Sequence, residues 1–103
     1  MKTERQNVLK DKSFALAVRI VKLCDYLKKA KRESTLSRQL IRSGTNPGAM
    51  VREAQNAESD ADFVHKLGVA QKETDETLYW LELMRACEFL SEAEQKSTKS
   101  LHR

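Results

Sequence analysis

An all-α fold, an antiparallel up-down-up-down four-helix bundle, is what this sequence predicts, and three observations predict it. The 103 residues include one Pro and three Gly among many Ala, Leu, Glu, Lys and Arg, the composition of a helical protein. Apolar residues recur at steps of three and four over long stretches. The segments between those stretches are short, so each helix must turn back along its predecessor. A chain of this length builds one domain, with an adequate but not large core.

The opening residues, 1–11, are polar and are expected to fray. Ser13 is a suitable N-cap, and a first helix is predicted over 13–31. At 100° per residue its apolar positions Phe14, Ala17, Val18, Ile20, Val21, Leu23, Cys24 and Leu27 cover an arc of roughly 220°. An outer helix of a monomeric bundle needs little more than about 100°. The excess points to burial on two sides, one in the bundle and one against a neighbouring subunit.

Ser34 is the expected N-cap of the second helix, 34–57, after a connection of only a few residues. The stretch Gly44-Thr45-Asn46-Pro47-Gly48 interrupts it. Local rules favour a break, because Pro47 cannot donate to the Ser43 carbonyl and pushes Asn46 away from helical dihedrals. Asn46 would then be an N-cap, with Pro47 at the first helical position. Length favours continuity. A third helix of about 26 residues spans roughly 39 Å, which 34–57 matches at about 36 Å and 34–43 does not at about 15 Å. One helix kinked near Pro47 is therefore predicted. The Gly44 and Gly48 spacing, with Ala49, would let a neighbouring helix approach closely.

The third helix is predicted over 59–89, capped by Ser59 with Asp60 and Asp62 at the positive end of its dipole. Phe63, Leu67, Ala70, Thr74, Thr77, Leu81 and Met84 form a heptad seam. Val64, Leu78, Trp80 and Leu83 add a second stripe, again more apolar surface than one seam requires. Ser91 can cap a fourth helix, 91–101, whose only apolar residues are Ala93 and Leu101; it is expected to be short or frayed.

Charge is unevenly placed. Residues 12–32 carry seven bases against one acid, whereas 58–89 carry eight acids against three bases. This arrangement suits attraction between the first and third helices, within the bundle or across subunits. Alternatively, the basic end of the first helix is a nucleic-acid footprint, although no aromatic residues are interleaved there. Cys24 and Cys87 lack metal-type spacing and are expected as buried free thiols. No apolar run is long enough to cross a membrane, and the N-terminal stretch does not suit a secretory signal, so a cytoplasmic location is expected.

Residues 36–84 resemble the four helix bundle protein family of bacteria, whose first known members were encoded in intervening sequences of 23S ribosomal RNA genes. The features that carry the resemblance are Leu36, Gln39 and Arg42, the Ser43–Pro47 kink, Glu53, the Asp62–Phe63 step, and Glu73 with Glu76. The resemblance implies an up-down-up-down bundle assembled as a homo-oligomeric ring, commonly a pentamer, with no established enzymatic activity. Relatives include the accessory protein of diversity-generating retroelements, a basic pentameric barrel that binds a reverse transcriptase and nucleic acid. The chain departs from the family pattern in its fourth helix, which is shorter and less apolar.

No catalytic, cofactor or metal constellation is present. Glu73, Asp75, Glu76 and Glu82 lack the Glu-x-x-His pairs of a di-metal bundle, and neither His65 nor His102 supplies one. Glu53 and Glu73 are expected to pair with Arg42 or Arg38. Gly44, Pro47, Gly48, Phe63, Tyr79 and Trp80 are read as fold or interface residues. Two functions fit: a non-enzymatic oligomeric adaptor or scaffold for a protein partner, or an RNA- or DNA-binding accessory protein. The second would use Lys22, Lys28, Lys29, Lys31, Arg32, Arg38 and Arg42 against phosphates. No cofactor is expected in either.

Overall fold

The computed structural model describes residues 4–91, 93 and 94. Among these described residues the fold is all-helical, with three helices: α1 (Glu4–Ala30), α2 (Thr35–Gln55) and α3 (Asp60–Ala86). Most of the expected fourth helix, 91–101, lies outside the described residues. At its start, the Ser91 amide donates to Glu94 Oε1 at 2.8 Å and the Glu94 amide to Ser91 Oγ at 3.1 Å. This reciprocal pair is a capping box.

α1 begins nine residues ahead of Ser13, so the expectation that 4–11 fray is corrected. Val8 and Leu9 extend the apolar stripe toward the N-terminus, and Gln55 Nε2 of α2 donates to the Gln6 carbonyl at 3.2 Å. Ser13 is no cap: its hydroxyl donates to the Lys10 carbonyl inside the helix. Leu16, Ile20, Cys24 and Leu27 form the buried edge of α1. Leu16 was missing from the predicted apolar arc, and the predicted Phe14, Val18 and Val21 remain exposed.

α1 and α3 both pack along α2. Residue partners fix the directions. Moving up α2, Ser37 meets Cys24, Gly44 meets Ile20, Gly48 meets Ser13 and Gln55 meets Gln6. On the other flank Ser43 meets Thr77 and Glu53 meets Lys66. Both neighbours therefore run antiparallel to α2. Leu16, Ile20, Leu27, Leu40, Leu81 and Met84 form the core with Leu90, each large side chain contributing about 1.5–3 kcal/mol by burial.

α2 continues through Pro47 as one helix, as length matching predicts. Its N-cap differs from expectation. Ser34 makes no side-chain cap bond. The Glu33 carboxylate takes its place, accepting from the amides of Leu36 at 3.0 Å and Ser37 at 2.9 Å. α3 starts as predicted, with Ser59 Oγ accepting from the Asp62 amide at 3.1 Å. It ends three residues earlier than predicted. Glu88 takes φ 67°, and the amides of Glu88 and Phe89 donate back to Arg85 and Met84 in a Schellman ending.

The two glycines of α2 are unequal. A Cβ on Gly44 would lie 2.6 Å from Ile20 Cγ1, inside contact distance. One on Gly48 would lie 3.4 Å from the Ser13 carbonyl oxygen. Ala49 is exposed and takes no part in the approach. The helix-propensity gain of a Gly→Ala change is about 1 kcal/mol at either site. At Gly44 the overpacking cost of about 1–3 kcal/mol exceeds it. Urea denaturation of Gly44→Ala should show destabilisation by up to about 2 kcal/mol, partly relieved by adding Ile20→Ala. Gly48→Ala should be neutral or slightly stabilising; equal effects at the two sites would contradict the packing.

Candidate interaction surface

The functional residues read from the sequence fall on different parts of this frame. α1 carries a second apolar face, directed away from its buried edge. Phe14 and Val21 are 57% and 47% exposed, and with Ala17, Val18 and Lys22 they line one shallow hollow. A second hollow, of about 420 Å³, continues from Val21 across to α2, where Ile41 and Arg38 line it with Lys28. The Arg52 guanidinium lies over the Phe14 ring at 5.6 Å, a cation–π contact that closes the far end. One connected apolar surface thus spans α1 and α2, with bases at its margin.

The floor of the second hollow is a buried polar network. Cys24 Sγ donates to the Ser37 carbonyl at 3.5 Å. The Ser37 hydroxyl donates to Glu33 Oε1 at 3.0 Å. Burial pushes the Cys24 thiol up to about 11, the neighbouring Glu33 charge adds to this, and the Ser37 hydrogen bond opposes it. This thiol stays protonated at neutral pH. Cys87, expected buried, is exposed just beyond α3. For Glu33, burial works to raise the pKa, but the hydrogen bonds from Leu36, Ser37 and Thr35 outweigh it and hold the carboxyl below its ordinary value.

Of the expected nucleic-acid contacts, Lys22, Lys28 and Arg38 border the apolar surface. Lys29 pairs with Asp25 one turn earlier, at 3.1 Å. Lys31 and Arg32 sit at the end of α1, Arg32 with φ 55° in the left-handed region. Arg42 is turned the other way. It bridges from α2 to Glu73 at 2.9 Å and to Glu76 on α3, and Trp80 Nε1 also donates to Glu76 at 3.1 Å. Its position between two carboxylates is a structural one, as the expected Arg42–Glu73 pairing implies. Glu53, by contrast, pairs with Lys66 and not with an arginine. These pairs are partly exposed and add modestly to stability.

The predicted fold residues divide similarly. Gly44 and Pro47 are buried, and Gly48 and Phe63 half-buried. Trp80 packs against the core, with the Tyr79 ring edge-on to it at 5.1 Å, while Tyr79 itself is 57% exposed. The α3 seam holds at Ala70, Thr77, Leu81 and Met84. Val64 of the second stripe is 67% exposed. His65 is exposed on α3, and His102 lies outside the described residues. Among the described residues no group of three or more His, Cys, Asp or Glu is placed to hold a metal ion, and no helix is long and apolar enough to cross a membrane. The exposed face, by contrast, left little mark as a site in the sequence beyond the excess apolar arc of α1.

Comparison with known proteins gives a consistent picture. The family model described as 23S rRNA-intervening sequence protein matches residues 5–103. A crystal structure from Bacteroides thetaiotaomicron, of a protein with unknown function from the S23 ribosomal protein family, is similar over 93% of this chain and 86% of that one. The two share 46% sequence identity, with a TM-score of 0.92. Among curated proteins none matches the chain.

The Glu33 cap has a testable pH dependence. Its folded pKa lies below the unfolded one, so its contribution is full above the ordinary carboxylate range and is lost as pH falls through the folded value. Glu33→Ala should cost about 1–2 kcal/mol in urea denaturation near neutral pH. The gap from the parent should narrow at about pH 3. A gap that is unchanged with pH would contradict the cap.

Proposed function

The chain belongs to the 23S rRNA-intervening sequence protein family, and on that premise we propose that it is a non-enzymatic, homo-oligomeric adaptor or scaffold of the bacterial cytoplasm. The observation that carries this reading is the apolar surface of Phe14, Val18, Val21 and Ile41, which the described helices leave exposed. Such contiguous patches on small proteins mark contact surfaces. A ring, five-membered as the family resemblance implies, would cover it once per copy. The groups most able to do chemistry are otherwise engaged: Glu73 and Glu76 hold Arg42, and Cys24 is a protonated buried thiol. That supports a binding role over an enzymatic one.

The capping box at Ser91 and Glu94 supports the reading that a short fourth helix begins at Ser91.

A second reading, nucleic-acid binding, is favoured by one observation: Lys22, Lys28 and Arg38 stand together on one exposed side. Arg42 contributes little to it, since it faces two carboxylates.

Light scattering on a size-exclusion column tests the first reading. The expected mass is a multiple of 11.8 kDa; a single chain of 11.8 kDa at micromolar concentration would contradict it. A salt titration of generic RNA binding tests the second, which fails if no affinity is detectable at low salt.

A further inference from the structure

We infer that the groove between α1 and α2 is a docking site for an acidic amphipathic helix of a partner protein. The inference rests on the adaptor reading and names the chemistry of the partner.

Two stripes form the walls of the groove. Phe14, Val21 and Lys28, at steps of seven, line the α1 side, and all three are exposed. On α2, Arg38, Ile41, Thr45, Gly48 and Arg52 follow one another at steps of three and four, a stripe without an acid. The walls meet along their length. At one end Arg52 stands over the Phe14 ring; at the other, Val21, Lys28, Arg38 and Ile41 line one hollow of about 420 Å³. From Phe14 to Lys28 the groove runs roughly 21 Å, the length of a helix of about 14 residues. A helix laid in a groove anchors through apolar residues at i, i+3 or i+4 and i+7, which here would meet Val21 and Ile41.

Charge identifies the partner. Arg52 at one end, Lys28 and Arg38 at the other, and Lys22 on the outer margin surround the apolar middle. Among the described residues no carboxylate pairs with Lys22, Lys28 or Arg38. Asp25 is the one acid lining the two hollows, and Lys29 pairs with it at 3.1 Å. Glu33 is buried against the first amides of α2, and Asp11 lies beyond the Phe14 end. An apolar stripe flanked by carboxylates therefore complements the groove, and opposite charges across a contact favour the matching partner.

Other occupants fit less well. Nucleic-acid bases stack on open aromatic faces, whereas Val21 and Ile41 are aliphatic and Phe14 already carries Arg52. A lipid surface buries an outward-standing apolar helix face, whereas Val21 and Ile41 wall a hollow. Val18 and Lys22 lie about 60° and 100° further round α1 from Val21. A subunit contact on that outer strip leaves the groove open.

The test uses the full-length protein and a fluorescent peptide of about 14 residues, with Leu at i, i+4, i+7 and i+11 and mostly Glu between. Fluorescence anisotropy should show it binding at least about tenfold tighter than a scrambled peptide of the same composition. Ile41→Asp and Arg38→Glu should each weaken binding by about tenfold or more, with helicity and light-scattering mass unchanged from the parent. Lys28→Glu replaces either variant if it fails to fold. Equal binding of the two peptides, or none at low salt, overturns the inference. So does tighter binding to a generic single-stranded RNA or to phosphatidylglycerol vesicles. A fall in oligomer mass in the groove variants gives the groove to a second copy and also overturns it. A monomeric parent that still prefers the amphipathic peptide overturns the ring and supports the docking site.

Discussion

The close approach of α1 to α2 at Gly44 is the constraint on which the rest of this fold depends. Only a residue without a side chain leaves Ile20 its place there, since any Cβ would sit 2.6 Å from it. That contact brings the backbones together in the middle of both helices and sets the register from which their other contacts follow. Above and below it, Cys24 reaches the Ser37 carbonyl and Gln55 reaches Gln6. α2 must therefore remain one helix past Pro47. Interior proline costs a helix about 3 kcal/mol. Burial of Pro47, Val51 and Ala54, and partners on both sides of the proline, offset that cost.

A central α2 also determines what the outer helices show to their surroundings. α2 takes α1 on one flank through apolar packing and α3 on the other through Ser43–Thr77, Arg42 and Glu53. The two outer helices each keep an exposed face that α2 does not cover. On α1 the outer face is apolar with a basic margin; on α3 it is mixed, with Val64 and Tyr79 among Lys72, Asp75, Glu82 and Arg85. The family match identifies the fold's relatives, and the likeness at 46% identity covers most of both chains. Neither describes a partner, so the binding chemistry has to be read from these faces.

Features with a periodic or single-position signal were legible in the sequence. The α3 seam, the Ser59 cap, the continuity of α2 and the Arg42–Glu73 pair all follow from spacing, length or charge. What was not legible depends on tertiary contact. The first turns of α1 read as polar because Gln6 gains an anchor from Gln55, far along the chain. Glu33 displaced Ser34 as cap because the turn after α1, with Arg32 in the left-handed region, carries the carboxylate over the open amides of α2. Glu88, also left-handed, ended α3 where no glycine marked a stop. The interaction surface was half legible: the wide apolar arc of α1 announced a second face, but only the fold adds Ile41, Arg38 and Arg52 to it.

Hydrogen exchange along α2 tests the central claim most directly. If Gly44 and the paired contacts hold one continuous helix, amides on both sides of Pro47, such as Leu40, Val51 and Ala54, should be protected to a similar degree. Rapid exchange over residues 48–55 beside a protected 36–43 would show that the helix ends at the proline, and would contradict the account.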